Sequence, residues 1–219
     1  MLKISEEKLD MLPEKAEIIG FLCAEGSHYK YDTSYYQYFK NRNKSYPIRQ
    51  KIEAVEFTNN NRTLQRRFAN LIKTVYNYKL NVHGVTSSQK ITIKRKNVIK
   101  DLLSYTDFGC LRWNIPNEIS KGSNEIKRSF IRGFFDGDGS ADRRRIRFAS
   151  VNLKALKKLK KILESFNFNP KIYGPYKSKK KNRKDIYEIY LMKKEEVNKF
   201  ISFIKPNKLL SLGGRKFDR

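Results

Sequence analysis

Ile18-Ile19-Gly20-Phe21-Leu22-Cys23-Ala24-Glu25-Gly26 recurs 113 residues later as Ile131-Arg132-Gly133-Phe134-Phe135-Asp136-Gly137-Asp138-Gly139, and a serine follows each copy, Ser27 and Ser140. Laid on each other, the copies share Ile, Gly, Phe, Gly and Ser, and they pair Leu with Phe, Ala with Gly and Glu with Asp. The offset is close to half of the 219 residues, so the chain reads as two versions of one unit.

Apolar residues fill both copies up to the acid, as in a buried helix rather than a surface one. Gly20 and Ala24 stand four apart, as do Gly133 and Gly137, which leaves a stripe without bulk on one face of each helix. Glycine inside a helix costs about 1 kcal/mol relative to alanine. Two helices that meet backbone to backbone supply a reason to tolerate it. Gly26 and Gly139 are expected to end the helices in the left-handed cap conformation. Glu25 and Asp138 then fall in the last turns, beside unpaired carbonyls and the negative end of the dipole. Two acids brought together there repel, and a divalent cation removes the repulsion. Carboxylates plus the carbonyls of Ala24 and Gly137 form a hard oxygen donor set suited to Mg²⁺.

Lys and Arg number 48 against 22 Asp and Glu, a formal charge of +26, and aromatics make up 13% of the chain. That balance points to nucleic acid as the partner. No long apolar run or basic amphipathic anchor supports a membrane surface instead. Two cysteines, Cys23 and Cys110, are too few for a disulfide framework, and no Cys/His cluster has zinc spacing. Two histidines, His28 and His83, supply a histidine-centred nuclease site poorly. The opening Met1-Leu2-Lys3-Ile4-Ser5-Glu6-Glu7 reads as neither a signal nor a transit peptide, so an intracellular protein is expected, in the cytoplasm or an organelle matrix.

The doubled stretch resembles the motif of the LAGLIDADG homing endonucleases, in the single-chain form that carries two motifs. Only Glu25 and Asp138 stand at the acidic positions that hold the family's metals. Asp136 falls on the sixth motif position, and Cys23 replaces it in the first copy, a departure read as small. The resemblance implies an α+β fold of two pseudo-symmetric α-β-β-α-β-β-α units, each with a four-stranded antiparallel sheet. The sheets would form a DNA-binding saddle, with the motif helices packed at the interface. It also implies a monomeric, Mg²⁺-dependent, site-specific double-strand DNA endonuclease making a staggered cut at a long target. Mn²⁺ would substitute, and Ca²⁺ would support binding without cleavage. Two alternatives share the scaffold: a maturase binding intron RNA, and a DNA-binding regulator without chemistry. The plain Met1 and the ending Lys216-Phe217-Asp218-Arg219, which has no His-Asn splice junction, favour an intron-encoded or free-standing form over an intein.

Periodicity fills in the units: 1–113, a join at 114–124 where Pro116, Gly122 and Ser123 break the pattern, and 125–219. In the first, strands are expected at 27–39 and 48–58 around a loop at 41–47, then an amphipathic helix at 61–77. A second hairpin (80–86 with 90–94) and a helix at 96–104 complete it. In the second, 142–150 alternates, placing Arg143, Arg145 and Arg147 on one face, and Asn152 caps a helix. A hairpin of 171–176 with 186–192 and a helix from 195 to 204 close it.

By the resemblance, the sheets face DNA. Arg49, Lys51, Lys90 and Thr92 in the first half and Arg143, Arg145, Arg147, Glu188 and Tyr190 in the second are assigned to that face. Arg suits guanine edges and Lys phosphates. Three arginines on one strand face would repel one another without a polyanion. Lys179, Lys180 and Arg183, in the basic loop 177–184, suit backbone phosphates or a solvated loop equally. The family also tends to keep a basic residue near each scissile phosphate. Arg112 and Lys208 are the candidates, with Asn59 at the end of a strand to orient a water.

Overall fold

The computed structural model of the protein describes residues 10–82, 90–177 and 184–208. Two helices form its spine. Helix α1 is Pro13–Glu25, with proline at the start where a missing N–H does no harm, and it is buried from Lys15 to Cys23. The other motif helix, α5 (Asn124–Asp138), is capped by the Ser123 hydroxyl, which accepts from the Ile126 amide. The two pack backbone to backbone. A β-carbon on Gly20 would lie 2.3 Å from the Phe130 carbonyl oxygen, and one on Gly133 would lie 2.2 Å from the Glu17 carbonyl oxygen. Phe130 and Glu17 occupy the same place in the two copies, as do Gly133 and Gly20. The contact is therefore reciprocal, as across a two-fold axis.

In the first half a long hairpin follows α1 directly. Strand β1 (Gly26–Phe39) turns through a 3₁₀ segment, Lys40–Arg42, into β2 (Lys44–Thr58). The expected loop at 41–47 is thus shorter, because Asn43 takes the left-handed conformation (φ 46°) and closes the turn at once. Pro47 lies in the strand opposite Tyr36, in the part of β2 beyond its pairing with the third strand, so its missing N–H takes nothing from the β2–β3 ladder. Helix α2 (Arg62–Tyr76) begins at Asn61, whose side chain accepts from the Thr63 and Leu64 amides. Strand β3 (Lys90–Ile93) and helix α3 (Lys96–Tyr105) follow. Residues 80–82 form no strand and 83–89 lie outside the described residues. The described sheet of this half therefore has three strands, ordered β1-β2-β3, rather than four.

The join is packed rather than loose. Trp113, Ile115 and Ile119 are buried, and a one-turn helix α4 (Asn117–Ser120) lies within it. The second half has β4 (Ser140–Ala141), β5 (Arg145–Ser150), α6 (Leu153–Glu164), β6 (Lys171–Tyr176), β7 (Ile186–Met192) and α7 (Lys194–Ile204). Its four strands run in the order β4-β5-β7-β6. Arg143 sits in the turn ahead of β5, not on it, because Asp142 folds that turn by accepting from the Arg144 and Arg145 amides. Asn152 caps α6 and also donates to the Trp113 carbonyl at 2.7 Å, tying the second half to the join. One buried cluster joins both halves. It runs from Phe21, Phe57 and Phe68 through Trp113, tilted against Phe134 with ring centroids 5.0 Å apart, to Phe135, Phe148 and Phe200.

Candidate active site

Both motif helices deliver their acids straight into strands. Gly26 (φ −91°) and Gly139 (φ −74°) are extended, not left-handed as expected from the sequence. Their amides still close the last turns, donating to the Leu22 and Phe135 carbonyls. Glycine is needed there for space instead. A β-carbon would fall 2.3 Å from the Leu22 oxygen in one case and 2.3 Å from the Phe135 ring in the other. Left-handed caps do occur in this chain, at Asn77 and Lys205.

The acids meet where the last turns touch. A β-carbon on Gly137 would stand 2.5 Å from that of Ala24 and 3.7 Å from Cγ of Glu25. Burial pushes the Glu25 carboxyl up to about 7, the Asn59 hydrogen bond pulls it down, and the nearby charge of Asp138 raises it again. Asp138 reaches solvent at the rim, but desolvation on its inner side raises it too, against the pull of Lys208 and Arg147. Asn59 holds Glu25 by donating from Nδ2 to Oε2 at 2.5 Å, and its own oxygen is fixed by the Asn61 amide at 2.8 Å. It thus positions the carboxylate directly, where the sequence suggested a water. The Lys208 ammonium donates to the carbonyls of Gly139 (2.8 Å) and Gly137 (3.3 Å), completing the negative end of α5 with a cation.

Lys208 is placed by Asp136. This buried carboxylate accepts from the Lys208 amide (2.8 Å) and from the Asn207 amide (3.0 Å) and side chain (2.8 Å). Desolvation pushes Asp136 up to about 6 despite those bonds. In the first copy Cys23 faces the Asn114 carbonyl at 4.0 Å, so the sixth motif position seats the segment after each unit. The Cys-for-Asp exchange is therefore more consequential than its reading from sequence, because the carboxylate fixes a lysine. Beside it, the fully buried Glu17 is clamped by Arg67 of the first half and Arg132 of the second, with contacts of 2.8 to 3.1 Å. Sequence reasoning passed over Glu17, Arg67 and Arg132. Glu17 one turn before Gly20 and Arg132 directly before Gly133, charges beside the small residues of the two motif helices, were the available signal.

Two family descriptions match the chain: LAGLIDADG-like domain over residues 125–205, and WhiA LAGLIDADG-like domain over 44–108. The chain carries two LAGLIDADG-like domains. Among solved structures, the LAGLIDADG scaffold of the homing endonuclease I-DmoI, in complex with DNA and Mn, has a TM-score of 0.56 at 16% identity, over 88% of this chain and 96% of that one. A doubly substituted I-DmoI with its target DNA nicked and Mn present reaches 0.60 at 14% identity, with the same coverage. Full-length DUF199/WhiA from Thermotoga maritima scores 0.56 at 17% identity, covering 98% of this chain and 61% of that longer one. At such identities the likeness is one of fold. No curated protein matches by sequence.

On this LAGLIDADG frame, Glu25, Ala24, Gly137, Asp138, Asn59 and Lys208 come together. Arg112 does not join them: its guanidinium donates to the carbonyls of His28 and Phe108 and pairs with Asp107 at 3.3 Å, locking the start of β1. Among the described residues no three His, Cys, Asp or Glu side chains cluster for a metal. Two carboxylates and helix-end carbonyls nonetheless fit Mg²⁺, which takes one or two carboxylates and completes its shell with water and phosphate oxygens. On the second sheet, Arg147 and Tyr190 both bond Glu188, and Arg145 pairs with Asp142 at 2.7 Å. The expected repulsion among arginines is thus already relieved within the protein. In the first sheet, register separates the assigned residues. Lys90 and Thr92 share a face with Glu56, whereas Arg49 and Lys51 share one with Val55 and Phe57, which pack on the helices. Lys179, Lys180 and Arg183 lie outside the described residues.

Proposed function

We propose that the protein is a site-specific double-strand DNA endonuclease that depends on a divalent cation, Mg²⁺ in the cell. The observation that carries this reading is the pair of carboxylates at touching helix ends, one held by Asn59 and the other flanked by the Lys208 ammonium. A packing interface alone gains nothing from two partly desolvated acids whose charges oppose each other. Glu25 and Asp138 would hold the cation, with the Gly137 carbonyl alongside. When bound, such an ion supplies charge neutralisation at the phosphate and a more acidic water. Asn59 keeps the Glu25 oxygens aimed, and Lys208 offers positive charge where a scissile phosphate would develop negative charge. The excess of 26 positive charges supplies the long-range attraction for duplex DNA.

A second reading, a nucleic-acid binder without chemistry, is favoured by the likeness to WhiA over nearly the whole chain. One experiment separates them: cleavage in Mg²⁺, and binding in Ca²⁺, of a duplex carrying the uninterrupted version of the gene's own insertion point. The endonuclease reading expects both, with Glu25→Gln abolishing cleavage and sparing affinity. Binding by the wild-type protein with no cleavage in Mg²⁺ supports the second reading. A Glu25→Gln variant that cuts normally ends the metal-site assignment.

A further inference from the structure

We propose that the first half of the molecule reads base edges with an uncharged stretch on one face of the β1–β2 hairpin, and that its half-site is rich in A·T pairs. This rests on the DNA-binding part of the proposed function. Direct partners across an antiparallel pair share a face, and faces alternate along each strand. Val55 and Phe57 of β2, paired with Ile93 and Ile91, are buried toward the helices. The opposite face therefore carries the partner pairs Tyr31 with Ile52, Thr33 with Gln50, and Tyr35 with Ile48. None is charged, in a chain where 32% of residues are. Tyr31 and Tyr35 are half-exposed, at 50% and 47%, and Ile48 and Ile52 are only partly covered.

Nearer the helices the same face carries Glu56, which pairs with Lys90 at 3.3 Å; the other charges of the hairpin lie elsewhere. Lys30 with Glu53, Asp32 with Lys51, and Arg49 occupy the other face, and Lys40, Arg42 and Lys44 gather at the turn. A two-stranded ribbon fits the major groove, about 12 Å wide. With the uncharged stretch on the groove floor, cations on the far face and at the turn lie toward the phosphate walls. The strand that carries this face begins at Gly26, directly after Glu25, so a duplex over the acid pair continues along it.

The thymine methyl is the apolar group a base pair shows in the major groove, and adenine shows the donor and acceptor that an amide such as Gln50 pairs with. Guanine and cytosine edges would instead be desolvated against Tyr and Ile without partners, which is costly. From Tyr31 to Tyr35 the strand rises about 13 Å at ~3.3 Å per residue, matching about four base pairs. The second sheet contrasts, since its open face holds Arg145, Arg147, Glu188 and Tyr190. The two half-sites therefore differ in chemistry as well as sequence.

The test selects duplexes from a randomised pool bound by the full chain in Ca²⁺, then replaces thymine by deoxyuridine in each half-site separately. The expected site has a run of A·T pairs in one half, where each buried methyl lost weakens binding about two- to fivefold. Tyr35→Ser and Ile48→Ser, both solvent-facing changes, relax preference in that half and leave the salt slope alone. Arg49→Ala and Lys51→Ala lower affinity for all sequences and reduce the slope. A selected site that is rich in G·C in both halves, or indifferent to uracil, overturns this inference while leaving DNA recognition standing. A chain that binds no duplex removes the proposed function itself.

Discussion

At the scale of single residues, the site is governed by what burial does to carboxylates. Glu25 is raised from its ordinary range to about 7, so in the metal-free protein it keeps its proton up to neutrality. A cation bound there as proposed has to displace that proton. Apparent Mn²⁺ affinity should therefore rise from pH 6 to 8 and flatten above. Titration calorimetry in two buffers of different ionisation enthalpy should register proton release at pH 6.5 but little at pH 8.5; equal heats in both buffers at pH 6.5 would contradict it. Asn59 lowers Glu25, so Asn59→Ala should move the acid limb of the cleavage profile to higher pH with the fold intact by circular dichroism. Asp136 acts through Lys208. The variants Asp136→Ala and Lys208→Ala should each depress cleavage, and the double variant should be little worse than Lys208→Ala alone, since both remove the same ammonium. Additive losses would separate the two residues.

At the scale of elements, the motif helices were legible because a repeat with small residues four apart has few other uses. The caps were not. Gly26 and Gly139 suggested left-handed turns by frequency, while the actual demand is clearance from the preceding turn in extended backbone. Asn59 was placed at the right strand end, but its bond to Glu25 depends on Asn61 turning its amide, which no sequence pattern displays. Arg112 is held by the carbonyls of His28 and Phe108, contacts that alignment by distance from proline does not display. Alternation found the residues of the first sheet, but assigning the open face needs the register with β3. The helix contact makes its own prediction. Gly137→Ala should overpack against Ala24 and destabilise by about 1–3 kcal/mol. Ala24→Gly in the same chain should recover much of that loss, read as a midpoint in denaturant. No recovery would mean that the two residues do not oppose each other.

At the scale of the molecule, the halves share one core and one buried ion cluster, so they are expected to unfold together. Glu17 joins Arg67 to Arg132 across the interface, fully buried. Its loss leaves two guanidinium groups facing without an anion. Glu17→Gln should cost about 3 kcal/mol or more, and calorimetry should still show one transition at a lower temperature. Two separated transitions would show that the halves are independent. Endonuclease activity as proposed requires Glu25 and Asp138 to serve one cation site beneath a bound duplex. The direct measurement is anomalous scattering from Mn²⁺ in crystals of the protein with its duplex. A peak bonded to carboxylate oxygens of both residues and to a phosphate oxygen is the predicted result. Manganese bound elsewhere, with both carboxylates unligated, would contradict it.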